Sequence, residues 1–369
     1  MPPPRRILLL NGSHIGDIVI ATSVLPILRA AYPDAEIGFV TGSWSQMVLK
    51  GHPLVAYTHC VDHWRFNRSA DSLYRKVLQF RKTRRTALAE IRELKYDVAL
   101  SIYSHFSDLL DVSYSASIPV RVGFRESALS SLATTLIEEP KSPFIHQGER
   151  LAALLKALPI DPANFHLRRS SLADESTASA KELCTLLGVK NLDDASYRIV
   201  HMGSGAPQRE FPIKFWRELA GQLSAQGTLV FTGRGKREME KITAAIQGLQ
   251  NCVNACDRLS WGGFVAAVRH AEVLYGVESM AGHVAAAVGT PCVVVYGGAA
   301  GPARWRPEGK DCIVVTNHVP CAPCLLPQGC SDMTCTQGIK PADLILLSPP
   351  CEIVSGAQQK QTCLPRGER

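Results

Sequence analysis

Four polar clusters in the chain carry residue types that bind or transform ligands. The first, Gly12-Ser13-His14-Ile15-Gly16-Asp17, puts a hydroxyl, an imidazole and a carboxylate on a short glycine-bracketed turn after the apolar run Ile7–Leu10. The second, His201-Met-Gly203-Ser204-Gly-Ala-Pro-Gln-Arg209-Glu-Phe-Pro212, supplies small residues, then a cation, then a proline suited to a first helical turn. Its backbone N–H groups can hold a phosphate that Arg209 neutralises, or the segment is a plain tight turn. The third, Glu278-Ser279-Met280-Ala-Gly-His283, opens a small-residue helix whose first amides can face a diphosphate, with Ser279 and His283 adding hydrogen bonds. The fourth is Cys321-x2-Cys324-x5-Cys330-x4-Cys335, four thiols in a Pro/Gly-rich loop at a spacing that suits tetrahedral zinc or iron; free thiols or a redox disulfide are the alternatives.

Positioning these clusters requires strands that end at them. Ile7–Leu10 reads as a parallel strand covered on both faces, Ile18–Ala31 as a helix stopping before Pro33, and Ile37–Val40, Asp97–Ile102 and Arg121–Phe124 as further strands, with helices at Thr83–Leu94 and Gly148–Leu158. A second series follows: strands at Arg198–His201, Thr228–Thr232, Val273–Gly276 and Cys292–Tyr296, and helices at Ile213–Ser224, Arg237–Gly248, Phe264–His270 and His283–Val288. This alternation predicts an α/β protein of two doubly wound parallel-sheet domains facing a central cleft. The expected boundaries are 1–165 and 191–347, with a linker at 166–190 and a loose Pro/Gln/Gly-rich tail at 348–369. Ligands bind at the carboxyl ends of such strands, where the first three clusters fall.

Composition narrows the classes. The 369 residues are 46% apolar, enough for two cores, and mean hydropathy is near zero. No apolar run nears the roughly 18 residues of a membrane-spanning helix, and polar Asn11, His14 and Asp17 interrupt the first apolar stretch, so a cytoplasmic protein is expected. There, the scattered cysteines among the twelve are buried thiols. The net charge of +7 is concentrated: from Arg65 to Lys95 ten Lys and Arg face only Asp71, Glu90 and Glu93, a local excess of seven. Interleaved Trp64, Phe66, Tyr74, Leu78 and Phe80 suggest an amphipathic segment attractive to an anionic membrane or substrate, or a solvated helical face. No nucleic-acid-binding module accompanies it, and no nucleic-acid partner is expected. The G-x-G-x-x-G and P-loop patterns are absent, which disfavours a nicotinamide enzyme or an NTPase.

Taken together in order, the motifs resemble glycosyltransferase family 9, the ADP-heptose heptosyltransferases of lipopolysaccharide assembly. The resemblance is carried by Ser13-x-x-Gly16-Asp17, Thr22-x-x-Leu25-x-x-Leu28, Tyr32-Pro-x-Ala-x-Ile37, His201-x-Gly203, Arg209-x-Phe-Pro212 and Glu278-Ser-Met-Ala-Gly-His283-x-Ala-Ala-Ala-x-Gly-Thr-Pro291. It implies a GT-B fold and inverting transfer of heptose from ADP-heptose to an anionic lipopolysaccharide-core or related glycan. The chain would then lie in the cytoplasm, peripheral on the inner-membrane surface. Asp17 matches the family's general base; its alternative role is capping the helix. Gly203, Ser204, Arg209, Thr232, Glu278, Ser279, Met280 and His283 would form the donor site, and Ser13, His14, Arg65, Arg68, Arg121 and Arg125 the acceptor side. No cofactor is required for transfer, while Cys321, Cys324, Cys330 and Cys335 match a loop that holds iron in some protein-modifying members, so structural zinc or iron is expected there. Three positions depart from the family: Glu278 for Asp, Met280 for Gly and Arg209 for Lys. They leave open another nucleotide sugar, a protein or small-molecule acceptor, or a catalytically degenerate binding protein.

Overall fold

The computed structural model describes residues 2–103, 109–142, 144–298, 301–324, 326 and 328–347. The expected tail at 348–369 lies outside the described residues. The chain forms two compact units, Met1–Asp174 and Glu175–Arg369. The division falls inside the segment expected as a linker, and Thr177–Leu187 within that segment is a helix of the second unit.

The first unit holds strands β1 (Arg6–Leu10), β2 (Glu36–Thr41), β3 (Tyr57–Cys60), β4 (Val98–Ser101), β5 (Val120–Phe124) and β6 (Thr135–Ile137). The second holds β7 (Tyr197–His201), β8 (Thr228–Thr232), β9 (Cys252–Asn254), β10 (Leu274–Val277), β11 (Cys292–Tyr296) and β12 (Cys312–Thr316). Each set makes one parallel six-stranded sheet, ordered β3-β2-β1-β4-β5-β6 and β12-β11-β10-β7-β8-β9. Both have the doubly wound order, which reverses beside the first strand and opens a ligand crevice at the carboxyl ends there. In the first sheet that point lies between β1 and β4, in the second between β7 and β10. β1 is buried on both faces, which is why it reads as an unbroken apolar run.

The four strands not expected from the sequence, β3, β6, β9 and β12, are the four sheet edges. Edge strands are covered on fewer sides, so selection for an apolar pattern is weaker. β12, with Ile313-Val-Val315, is nevertheless apolar enough to have been legible.

Helices α1 (Ile15–Ala21), α2 (Leu25–Ala31), α3 (Leu73–Leu94), α4 (Leu110–Ser115) and α5 (Gln147–Ala153) belong to the first unit. Helices α6 (Thr177–Leu187), α7 (Ile213–Ser224), α8 (Lys236–Ile246), α9 (Trp261–Arg269) and α10 (Met280–Val288) belong to the second. The single helix expected over Ile18–Ala31 is two, separated by a 3-10 turn at Thr22–Val24. Pro26 lacks the N–H that would continue the ladder to Thr22, whose carbonyl accepts from the Leu25 N–H instead, and the Thr22 hydroxyl donates to the Val19 carbonyl at 2.6 Å. Helix α3 begins ten residues before the expected Thr83, capped by the Ser72 hydroxyl. Its inner face is fixed through β3: buried His59 joins the Glu90 carboxylate (2.7 Å) and the Tyr96 hydroxyl (2.9 Å). α6 packs on α9, where Glu182 accepts from the Ser260 N–H and hydroxyl.

Candidate functional site

In the first unit the turn after β1 centres on Asp17. The Ser13 hydroxyl donates to Asp17 Oδ2 at 2.6 Å, and the His14 backbone N–H reaches the same oxygen at 3.4 Å. Asp17 therefore has a capping contact at the third residue of α1, but a long one, and its dominant partner is Ser13. Its other oxygen, Oδ1, takes no hydrogen bond among the described residues. Ser13 is itself pinned: its carbonyl accepts from Trp44 Nε1 (2.7 Å) and the Ser45 hydroxyl (2.8 Å). A carboxylate held through one oxygen and open at the other has the geometry a base needs. Ser13, expected to touch the acceptor, spends its hydroxyl on Asp17 and orients it.

His14 meets an aromatic set that the sequence reading left unassigned to the site. Its ring lies edge-on to Phe66 (5.8 Å) and 6.5 Å from Trp44, and Phe66 packs on Tyr103. The loop carrying Arg65 and Arg68 is thereby brought against the turn, with both arginines exposed and Arg65 stacked over Trp64. Arg121 and Arg125, by contrast, are committed to β5 and β6. Arg121 donates to the Leu132 and Ile118 carbonyls, and Arg125 pairs with Glu138. These two brace the sheet edge.

In the second unit, β7 and β10 pair in parallel, with Gly276 opposite His201, so the turns after them emerge side by side. The Ser204 hydroxyl donates to the Glu278 carbonyl at 3.2 Å across 74 positions of sequence. Arg209 Nη1 lies 3.1 Å from Glu278 Oε1, with the arginine side chain 41% exposed and the glutamate 6%. Burial pushes the Glu278 carboxyl up to about 7, and Arg209, half in solvent, pulls it back only in part. Ser279 caps α10 by accepting from the Ala281 N–H, Met280 is its first residue, and His283 is buried one turn further in. Gly203 has a steric reason: a Cβ there would fall 2.3 Å from the Glu238 carboxyl carbon. Thus Gly203, Ser204, Arg209, Glu278, Ser279, Met280 and His283 are gathered at the carboxyl end of the two central strands of the second sheet. Thr232 is the exception: it is buried and bonded to His201 Nδ1 at 2.9 Å, inside the sheet rather than facing a ligand.

Among the described residues no three Cys, His, Asp or Glu side chains are placed to share a metal ion, Cys321 and Cys330 are exposed, and Cys335 is buried beside Gly298. The loop instead folds onto the end of β11, where the Cys324 N–H donates to the Gly298 carbonyl at 2.9 Å.

Two doubly wound parallel six-stranded sheets are the fold of the GT-B class. The chain belongs to glycosyltransferase family 9 (heptosyltransferase), whose family model matches residues 84–332. That match includes Arg209 and Glu278 and begins after Asp17. Lipopolysaccharide heptosyltransferase 1 of Pseudomonas aeruginosa is 24% identical over 330 residues, 87% of this chain and 86% of that protein. Among solved structures, E. coli ADP-heptose lps heptosyltransferase II superposes with a TM-score of 0.72 at 21% identity, over 93% of this chain and 97% of that one. E. coli heptosyltransferase WaaC with ADP gives 0.62 at 20% identity, over 84% and 92%.

Proposed function

We propose that this glycosyltransferase moves a heptose from ADP-heptose, with inversion, to an anionic lipopolysaccharide-core or related glycan acceptor. The observation that carries the reading is the Arg209–Glu278 pair beside Ser204 and the start of α10, a cation and donors set where β7 and β10 end. The names of the similar proteins, lipopolysaccharide heptosyltransferase 1 and the ADP complex of WaaC, support the donor and acceptor class.

In this reading Asp17 Oδ1 takes the proton of an acceptor hydroxyl as its oxygen attacks the anomeric carbon. The bond from that carbon to the diphosphate oxygen breaks in the same displacement, and ADP leaves with the electron pair. Arg209, the Ser279 hydroxyl and the first N–H groups of α10 meet the charge that develops on it. His283, buried behind them, shapes the α10 side of the pocket. Arg65 and Arg68 meet the anionic acceptor.

Helix α3 supports a position on the anionic cytoplasmic face of a membrane. Its first turns expose Leu73 (60%), Tyr74 (72%) and Leu78 (44%) among Arg75, Lys76, Arg81 and Lys82, the pattern of an interfacial helix. No helix among the described residues is long and apolar enough to cross a membrane.

The deciding experiment incubates the protein with ADP-heptose and heptose-deficient lipopolysaccharide, and reads the acceptor by mass spectrometry. A gain of one heptose is expected. Binding of UDP- or GDP-sugars in preference to ADP-heptose would redirect the donor.

A further inference from the structure

We propose that Glu210 is a positioning residue of the donor turn, clasping the loop of Ser204 and Arg209 to helix α8. The inference rests on the donor reading above. Glu210 follows Arg209 directly, yet its side chain is only 4% exposed, whereas Arg209 reaches solvent and Glu278. Its carboxylate gathers four donors. Oε1 accepts from the Ser204 N–H (3.1 Å) and Arg237 Nη2 (2.6 Å), and Oε2 from Arg237 Nη1 (2.9 Å) and Lys241 Nζ (2.5 Å).

The contacts are of two kinds, and the distinction defines the role. The Ser204 N–H belongs to the donor turn itself, and its hydroxyl is the one that reaches the Glu278 carbonyl. Arg237 and Lys241 lie one turn apart on α8, a rigid element, and Arg237 Nη2 also approaches the Ser204 carbonyl at 3.4 Å. Glu210 therefore bridges a helix to both ends of the 204–209 loop. A two-oxygen bond to a guanidinium fixes direction as well as distance, as a phosphate-binding turn requires. Glu238, also on α8, packs its carboxyl beneath Gly203, so the same helix supports the loop from below. Burial alone would raise the Glu210 carboxyl, but the Lys241 and Arg237 hydrogen bonds outweigh it and keep it ionised.

Glu210 is not placed to touch the sugar or the reacting atoms. It acts on the donor only through Ser204 and Arg209.

The test measures ADP binding by calorimetry, donor and acceptor KM, and hydrogen exchange of amides 203–210 in Glu210→Gln, Arg209→Ala and the double variant. Glu210→Gln keeps the side chain's size and one acceptor for the Ser204 N–H while losing the charge, so the fold is retained. The expected result is about tenfold weaker ADP binding, a matching rise in donor KM with acceptor KM unmoved, and faster exchange across 203–210. Adding Glu210→Gln to Arg209→Ala should cost much less than adding it to the unaltered protein, because one residue acts through the other. Glu210→Asp, which keeps the charge, should recover part of the loss. Unchanged ADP affinity and unchanged exchange overturn the proposal, as do full additivity with Arg209→Ala or a parallel rise of both KM values with a large fall in Tm. If the unaltered protein binds no ADP, the donor reading fails by itself, and exchange over 203–210 still decides the clasp.

Discussion

Arg209 Nη1 and Glu278 Oε1, 3.1 Å apart, join the turns that follow β7 and β10. The pair sets a buried carboxylate directly on the cation proposed to meet the diphosphate. Its strength depends on pH, because burial has moved the Glu278 carboxyl to about 7.

Between pH 6 and 8 Glu278 passes from neutral to ionised and competes increasingly for Arg209. Affinity for ADP-heptose, whose esterified phosphates keep their charge across this range, should fall several-fold as pH rises. In Glu278→Gln the affinity should stay level. Calorimetry at three pH values checks this, and an identical decline in the variant would remove Glu278 from donor competition.

Folding stability carries a second signature. Burial lowers His201 from 6.5 to about 4, so its contribution is complete above pH 6.5 and is lost as pH falls toward 4, on the order of 3 kcal/mol over the interval. Glu278 is raised from 4.5 to about 7, so its contribution is complete below pH 4.5 and is lost as pH rises through 7. The two slopes oppose one another between 4.5 and 6.5. Glu278→Gln should therefore lose stability on acidification more steeply than the unaltered protein, as read by urea denaturation; parallel curves would contradict the assignment.

Asp17→Ala should lower kcat by about 10²–10⁴-fold while leaving ADP binding intact, the range for removing a general base. Ser13→Ala should have a smaller effect, about tenfold, because it frees Oδ2 without removing the base. Turnover preserved in Asp17→Ala would assign the carboxylate to helix capping alone.

Arg209→Lys should bind ADP better than Arg209→Ala but more weakly than the unaltered protein, since a point charge replaces a fork. A loss of about tenfold or more is expected for the alanine variant. Equal affinity in all three proteins would place the diphosphate elsewhere.

Replacing Leu73, Tyr74 and Leu78 together by serine should reduce cosedimentation with vesicles containing anionic lipid, with little change in Tm because all three are exposed. Binding that survives the triple change but disappears in high salt would reduce α3 to a purely electrostatic contact.

The central strands were legible from the sequence because burial on both faces demands continuous apolar runs, as in Ile7–Leu10 and Cys292–Tyr296. The edges were not, since β3, β6 and β9 mix polar with apolar residues. The turns after β7 and β10 were readable from small residues and a cation after a strand. The partners of Thr232, Arg121 and Arg125 were not readable, because residue type does not reveal whether a hydroxyl or guanidinium already has a partner inside the fold.

By itself, the order of residues determined which strands end in reactive turns, that Asp17 opens a helix, and that positive charge concentrates between 65 and 95. These are local properties, written in periodicity and composition. Only the tertiary structure decided that β7 lies beside β10, which brings Ser204 and Arg209 to Glu278, that the Ser13 hydroxyl donates to Asp17, and that Glu210 accepts from the Ser204 N–H. Strand order and side-chain partnership depend on pairings between distant segments, and no local pattern encodes them.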